Sequence, residues 1–387
     1  MRLHAHFSVI AIGFALAMTA CMVAPDKPKV DNPPAQPDTT NLPDGSRLGE
    51  KVEVDGAVIY AVLNDKAPLE TEYLTLHEAM EAKQASVRER SEGGTVNTLL
   101  VCNNAKKPLF LMAGDLLLGG KQDRIVAESA VLDAGAQDAE IQVFCVEHGR
   151  WALQGKDAEK CRDGAFYTDK SMPQCDLAVK KAAIETKQQG RVWSEVASNN
   201  MALNVARKTS SGTFRATFDD PETREKIEKN VAVARKLAES QVVGFAVYVE
   251  GEMVAMDVFE SCGLAQKLAD KLLRSYVITG LSGGYKDEVT VANDASNAEA
   301  EDVATAGEID QVESQADRSC CLSPRERFAQ QHATNNVGRA AAPRTGNEEL
   351  AVNDRTANTR SYKENALDYA CNDKKSGKAV QQSFMRR

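Results

Sequence analysis

"PLFLMAGDLLLGGKQDRIVAESAVL", residues 108–132, sets two apolar runs on either side of Gly119-Gly120-Lys121. Glycines followed by Lys121 and Arg124 invite comparison with the phosphate loop G-x-x-x-x-G-K-[ST]. Aligning Gly120-Lys121 puts Asp115 where the first glycine belongs and Gln122 where the magnesium-binding hydroxyl belongs. A phosphate loop must also open a helix whose N-terminus faces the anion. Here β-branched "RIVAESAVL" follows, so the stretch reads as a tight turn between two strands. With "TVNTLLVCN" before it and "AEIQVFCVE" after it, four strands follow one another with short connections, which predicts an antiparallel meander.

Working outward, "VEVDGAVIYAVLN" predicts a hairpin about Asp55-Gly56, and "QVVGFAVYVEGEMVAMDVF" a second about Glu250-Gly251. Thr75-Leu76-His77-Glu78 has capping-box spacing and opens a helix expected to fade before Gly93-Gly94. "DLAVKKAAIETKQQGRVWSEVASNNMALN" is helical in composition, with a break at Gly190. Asp219-Asp220-Pro221-Glu222 starts another helix, with Ile227, Val231, Ala234 and Ala238 on one face. "GLAQKLADKLLRSYVI" is the last. Strand–helix alternation is too sparse for a doubly wound sheet. The expected fold is therefore α+β: an antiparallel β-meander sheet packed with about four helices, in a single domain spanning 48–284.

The remainder is organised differently. Residues 285–358 are rich in Ala, Asp, Glu, Asn and Ser and poor in large apolar residues, which predicts a disordered, low-complexity insertion. Residues 359–387 alternate again about Lys375-Ser376-Gly377, as a returning hairpin would; disorder to the end is the alternative. At the other end, residues 1–20 hold a short apolar core after Arg2, as a secretory signal does. Met18-Thr19-Ala20-Cys21 approximates a lipobox, making Cys21 the expected lipidation site; an ordinary signal cleaved near Ala20 is the alternative. Residues 21–47, Pro-rich and polar, read as a tether. These features predict a lipoprotein of the cell envelope, anchored to the membrane through its N-terminal lipid. Met22 favours the outer membrane or periplasmic face in a cell with two membranes.

A net charge of -9 argues against nucleic acid as a partner, since phosphate backbones need clustered Lys and Arg. Cys161 and Cys175 flank a Gly- and Pro-bearing loop and are candidates for a disulfide; free buried thiols are the alternative. No metal is expected: His77, His148 and His332 lack partners at ligand spacing, and Cys320-Cys321 has no CxxC companion. Gly280-Leu281-Ser282-Gly283-Gly284 matches G-x-S-x-G formally but follows a helix, so it reads as a helix end rather than a nucleophile elbow.

"FCVEHGRW", residues 144–151, crowds Glu147, His148 and Arg150 at the end of an apolar strand. Strand alternation would put Glu147 with Cys145 on one face and His148 with Arg150 on the other. Such a group could bind an anion or move a proton. It could equally be an ion-paired sheet edge with Trp151 in the core.

Together, "LFLMAGDLLLGGKQDRIV", "VFCVEHGRW", "QQGRVWSEV" and "VVGFAVYVEGEMVAMDVFES" resemble the ARG and rhodanese-phosphatase-superfamily-associated protein domain over about Leu48–Leu281. Gly119, Gly120, Lys121, Gln122 and Arg124 match one family segment; Cys145, Glu147, Gly149, Arg150 and Trp151 match another. The resemblance implies a nucleotide-derived ligand by analogy alone. The expected function is an anchored binding or sensory domain for an unknown small anion, gripped by Gly119, Gly120, Lys121, Gln122, Arg124, Glu147, Arg150 and Trp151. An envelope scaffold, or a hydrolase using Glu147 with Arg124 or Arg150, is the alternative; no cofactor is implied.

Overall fold

The computed structural model describes residues 37, 39–90, 97–150, 165–172, 174–239, 241–283, 345–363 and 365–386. The expected signal peptide, Cys21, Trp151 and Cys161 lie outside the described residues, as do 285–344. The structure is a mixture of α-helices and largely antiparallel sheets. No helix among the described residues is long and apolar enough to cross a membrane.

The largest sheet has eight antiparallel strands. Two hairpins open it: β1 (Arg47–Val54) with β2 (Ala57–Leu63), and β12 (Val242–Val249) with β13 (Glu252–Phe259). Their turns sit at Gly56 and at Glu250-Gly251, all with positive φ, a conformation that favours glycine. Beyond β13 come β17 (Lys378–Arg386), β16 (Ala366–Asp373), β15 (Thr356–Tyr362) and β14 (Gly346–Ala351), in that order. Residues 345–358, expected to be disordered, thus include all of β14 and the start of β15. Their sequence hides them because it lacks an apolar run. Arg360, Asn358 and Thr356 are buried instead through polar partners: Asn358 donates to the Ser129 carbonyl (3.0 Å), and Thr356 Oγ1 to that of Val131 (3.0 Å).

The stretch at 108–132 departs from the predicted meander. Its two apolar runs yield four short strands: β6 (Leu109–Leu111), β7 (Leu116–Gly119), β8 (Arg124–Val126) and β9 (Ala130–Leu132). A six-stranded sheet takes β7 and β8 between β11 (Phe166–Tyr167) and β10 (Ala139–Cys145), followed by β5 (Thr98–Asn103) and β4 (Ala85–Glu89). A three-stranded sheet takes β6 and β9, with β3 (Leu74–Thr75) parallel to β6. Each run therefore bends from one sheet into another. At the first bend Gly114 has φ +89°, and the Asp115 carboxylate accepts from Met112 N (3.0 Å). At the second, Ser129 Oγ accepts from Ala113 N (2.9 Å) and donates to Gln381 (2.7 Å). Both runs are buried throughout, so their apolar pattern is the same whether the strand is straight or broken.

Six α-helices are described rather than about four: α1 (Leu76–Glu81), α2 (Leu177–Thr186), α3 (Gln189–Ala202), α4 (Ala216–Asp219), α5 (Pro221–Ala234) and α6 (Cys262–Leu281). The Thr75 capping box opens α1, but the helix stops at Glu81 and β4 follows. The break between α2 and α3 falls at Lys187, whose φ of 52° ends α2, rather than at Gly190. Asp220 caps α5 by accepting from Thr223 N (3.0 Å).

One face of the large sheet and the inner sides of α2, α3, α5 and α6 share the main core, with Phe245, Val247, Leu268 and Leu272 among its buried residues. Inside it lies a buried polar knot. Lys180 Nζ sits 2.9 Å from Asp257 Oδ1, the Tyr276 hydroxyl donates to Oδ2 (2.8 Å), and Ser383 also donates to this carboxylate. Burial alone would raise the Asp257 pKa, but Lys180 and these donors hold it below the ordinary value. This knot joins α2 and α6 to β13 and β17.

Candidate functional site

The two motif halves meet at the β7–β8 turn. Gly119 and Gly120 both have positive φ, and a Cβ on Gly120 would fall 2.3 Å from the Phe166 ring, so that position needs glycine. The turn amides are occupied: Gly119 N donates to Asp123 Oδ1 (3.0 Å) and Gly120 N to the Ala165 carbonyl (3.2 Å). β10 ends at Cys145, so strand alternation does not govern Glu147 and Arg150, which turn towards each other. Gln122 Nε2 donates to the Glu147 carbonyl (2.8 Å), and Asp123 N to Glu147 Oε2 (3.3 Å).

Arg150 is the bridge. Its Nε donates to Glu147 Oε2 (2.8 Å), its Nη2 lies 3.2 Å from Asp123 Oδ1, and its Nη1 donates to the Gly120 carbonyl (3.2 Å). Arg215 closes the other side, with Nε 3.0 Å and Nη2 2.6 Å from the two Asp123 oxygens. Ser211 Oγ donates to Glu147 Oε1 (2.6 Å). Burial pushes the Asp123 pKa up; Arg215 opposes that shift and the neighbouring Glu147 charge adds to it.

Beneath the turn, Arg124 is fully buried. Its Nη1 donates to the Gln122 carbonyl (3.0 Å), and its Nη2 lies 3.8 Å from Glu89 Oε1. Lys121 is half-buried, and its backbone N–H reaches Glu89 Oε1 at 3.5 Å. The "QQGRVW" segment joins here too. The Gln189 side chain accepts from Cys145 N (2.9 Å) and donates to its carbonyl (2.8 Å), while Trp193 meets the His148 ring edge to face at 4.5 Å. Burial pushes the Cys145 thiol up to about 11, which leaves it a poor nucleophile.

Asp123, Ser211 and Arg215 escape the sequence reading. Asp123 stands at the unspecified position of the first motif. Arg215 and Ser211 carry no motif, and only the packing of their loop, with Phe214 N on the Val146 carbonyl (2.9 Å), brings them in. The remaining candidates lie elsewhere. Cys175 is a free, buried thiol, and its expected partner Cys161 lies outside the described residues. His77 contacts Thr168 (3.0 Å), and no group of metal-ligating side chains occurs among the described residues. Ser282 caps the end of α6 by donating to the Thr279 carbonyl (3.1 Å).

The family pattern of the ARG and Rhodanese-Phosphatase-superfamily-associated Protein domain matches residues 45–357. The chain belongs to this family. The match runs from just before β1 into β15, so it takes in the signature turn, Lys180, Asp257 and Tyr276 of the buried knot, and β14. No curated protein and no solved structure matches the chain.

Proposed function

We propose that this family domain is a non-catalytic interaction scaffold, held at a membrane by lipid on Cys21, in which the signature residues clasp the fold together. One observation carries the reading: the arginines of the signature are paired with buried carboxylates. Glu89, Asp123 and Glu147 face Arg124, Arg150 and Arg215, all largely buried. An anion-binding site needs open donors, whereas here Arg150 and Arg215 hold carboxylates and both glycine amides are taken. Glu147 is poorly disposed as a general base, because Arg150 and Asp123 N donate to its Oε2 and Ser211 to its Oε1.

A second reading has its own support. Arg124 Nε and Nη2 and Glu89 Oε2 are buried without hydrogen-bond partners, an arrangement that a small polar guest would relieve. Thermal-shift measurements on the full chain with ADP-ribose, nucleotides and sugar phosphates separate the two. The scaffold reading expects no rise in Tm with any of them and a fall in Tm for Glu147→Ala without ligand. A ligand-induced rise that disappears in Lys121→Ala would replace it with the binding reading.

A further inference from the structure

We propose that the free edge of the eight-stranded sheet, strand β14, takes up an extended, lysine- or arginine-bearing segment of another protein as a further strand. The proposal rests on the scaffold reading and names its partner surface, on a different sheet from the signature turn. β14 runs from Gly346 to Ala351 without a bulge and pairs on one side, with β15. Val352 N donates to the Thr356 carbonyl (3.0 Å) and Lys363 N to that of Ala366 (2.8 Å), which fixes the alternation of the ladder. Even-numbered residues of β14 therefore bond to β15, while Asn347, Glu349 and Ala351 turn their N–H and C=O groups outward. All three residues are exposed. An edge of this kind is a template for an added strand. The other edges of the two larger sheets are guarded. β1 is bulged between Leu48 and Lys51, and β4 meets the β11 side of its own sheet through a bridge from Arg88 to Ala165.

Charge selects the occupant. Glu348 is committed to Arg360 (3.5 Å) and to the Tyr362 hydroxyl (3.2 Å). Glu349 makes no ion pair among the described residues. The lysines nearest in sequence are engaged elsewhere: Lys363 with Asp368 (2.7 Å), and Lys374 with the Asn353 carbonyl (2.7 Å). A second copy of this chain is a poor occupant, because an antiparallel pair centred on β14 sets Glu348 and Glu349 against the same acids of the other strand. A basic residue opposite Glu349 gains a cross-strand ion pair instead. Its neighbour points to the other face, where Leu350 is half-buried. The chemistry that fits is an extended segment in which basic and apolar side chains alternate.

Hydrogen–deuterium exchange mass spectrometry on the full-length protein tests this with a capped hexapeptide of alternating lysine and valine. One comparator replaces lysine by glutamate; the other is the lysine peptide N-methylated at every amide, which keeps its charge and loses its donors. The expected result is exchange slowed about tenfold over residues 346–352 by the lysine peptide, and by neither comparator. Ala351→Pro removes one outward N–H and no bond to β15, so it is expected to abolish that protection with Tm unchanged. Glu349→Lys is expected to weaken binding of the lysine peptide about threefold in fluorescence anisotropy. If the proline variant lowers Tm, the lysine variant decides. No protection by the lysine peptide, equal protection by a comparator, or protection of the free protein that grows with its own concentration overturns the proposal. The signature clasp is tested separately, through Tm with and without ligand.

Discussion

Replacing Arg150 by alanine tests the clasp most directly. The side chain is 9% exposed and touches Glu147, Asp123 and the Gly120 carbonyl, so its loss leaves two buried carboxylates, of which Asp123 keeps Arg215. Removing one partner of a buried ion pair costs about 3–5 kcal/mol. Protonation limits that cost, because a carboxylate stripped of its cation takes up a proton. Asp123 is already shifted upward in the intact cluster. In the variant, the folded-state pKa of Asp123 rises further above its unfolded value. The folded state then holds protons more tightly, and its stability falls as pH rises through about 4 towards the raised value. We expect a loss of about 3 kcal/mol near about pH 8 that shrinks to about 2 kcal/mol near about pH 5. Chemical denaturation followed by circular dichroism at both pH values measures it. Combining Arg150→Ala with Glu147→Gln should cost less than the sum of the singles, by about 1 kcal/mol. A loss below about 1 kcal/mol, equal at both pH values, would refute the clasp.

Three further outcomes follow from the same structure. Gly244→Ala places a Cβ 2.0 Å from the Asp257 carbonyl oxygen and 2.8 Å from Val258 Cα, both backbone, so β12 and β13 must part. We expect a loss of about 3 kcal/mol or more, read as reduced soluble yield and a lower Tm. Burial raises the pKa of Asp176, the cap of α2, from 3.8 to about 7, so wild-type stability should decline between about pH 4 and about pH 7. Asp176→Asn retains an acceptor for Val179 N and should remove that component, up to about 1.4 kcal/mol per pH unit, in denaturation midpoints measured across the range. Cys21→Ser should move the protein from the membrane fraction to the soluble fraction on immunoblots; unchanged membrane retention would count against lipidation.

How much was legible follows from where the information lies. The turns at Gly56 and Glu250-Gly251 and the cap at Asp220 are local devices, written in two to four adjacent residues, and the mixture of helices with antiparallel strands follows from them. The sheet switches at Gly114 and Ser129 are not local. Ser129 is fixed by Tyr369 and Gln381, more than 200 positions away, and no pattern within 108–132 can reveal that. β14 and β15 stay hidden for the related reason that polar partners on distant strands, rather than an apolar face, bury Arg360 and Asn358.

The signature shows the same logic at the level of function. Gly-Gly-Lys-Gln-x-Arg and Cys-Val-Glu-x-Gly-Arg-Trp look like ligand motifs because they join glycines to charges. A buried ion cluster constrains residue type as tightly as a binding site does, since each charge left alone in the interior costs several kcal/mol. Separating the two requires an inventory of partners. Each anion in this cluster has a cation or hydroxyl donor, the glycines meet Phe166 and Ala165, and Gln122 and Gln189 spend their amides on the backbone at Glu147 and Cys145. Lys121, unlike Arg124, is only partly buried. Because part of its side chain reaches the surface, Lys121→Gln is expected to lower Tm by less than Arg150→Ala, which should lower it by several degrees. Equal losses in differential scanning calorimetry would mean that Lys121 is part of the clasp and that the paired-charge account must be redrawn.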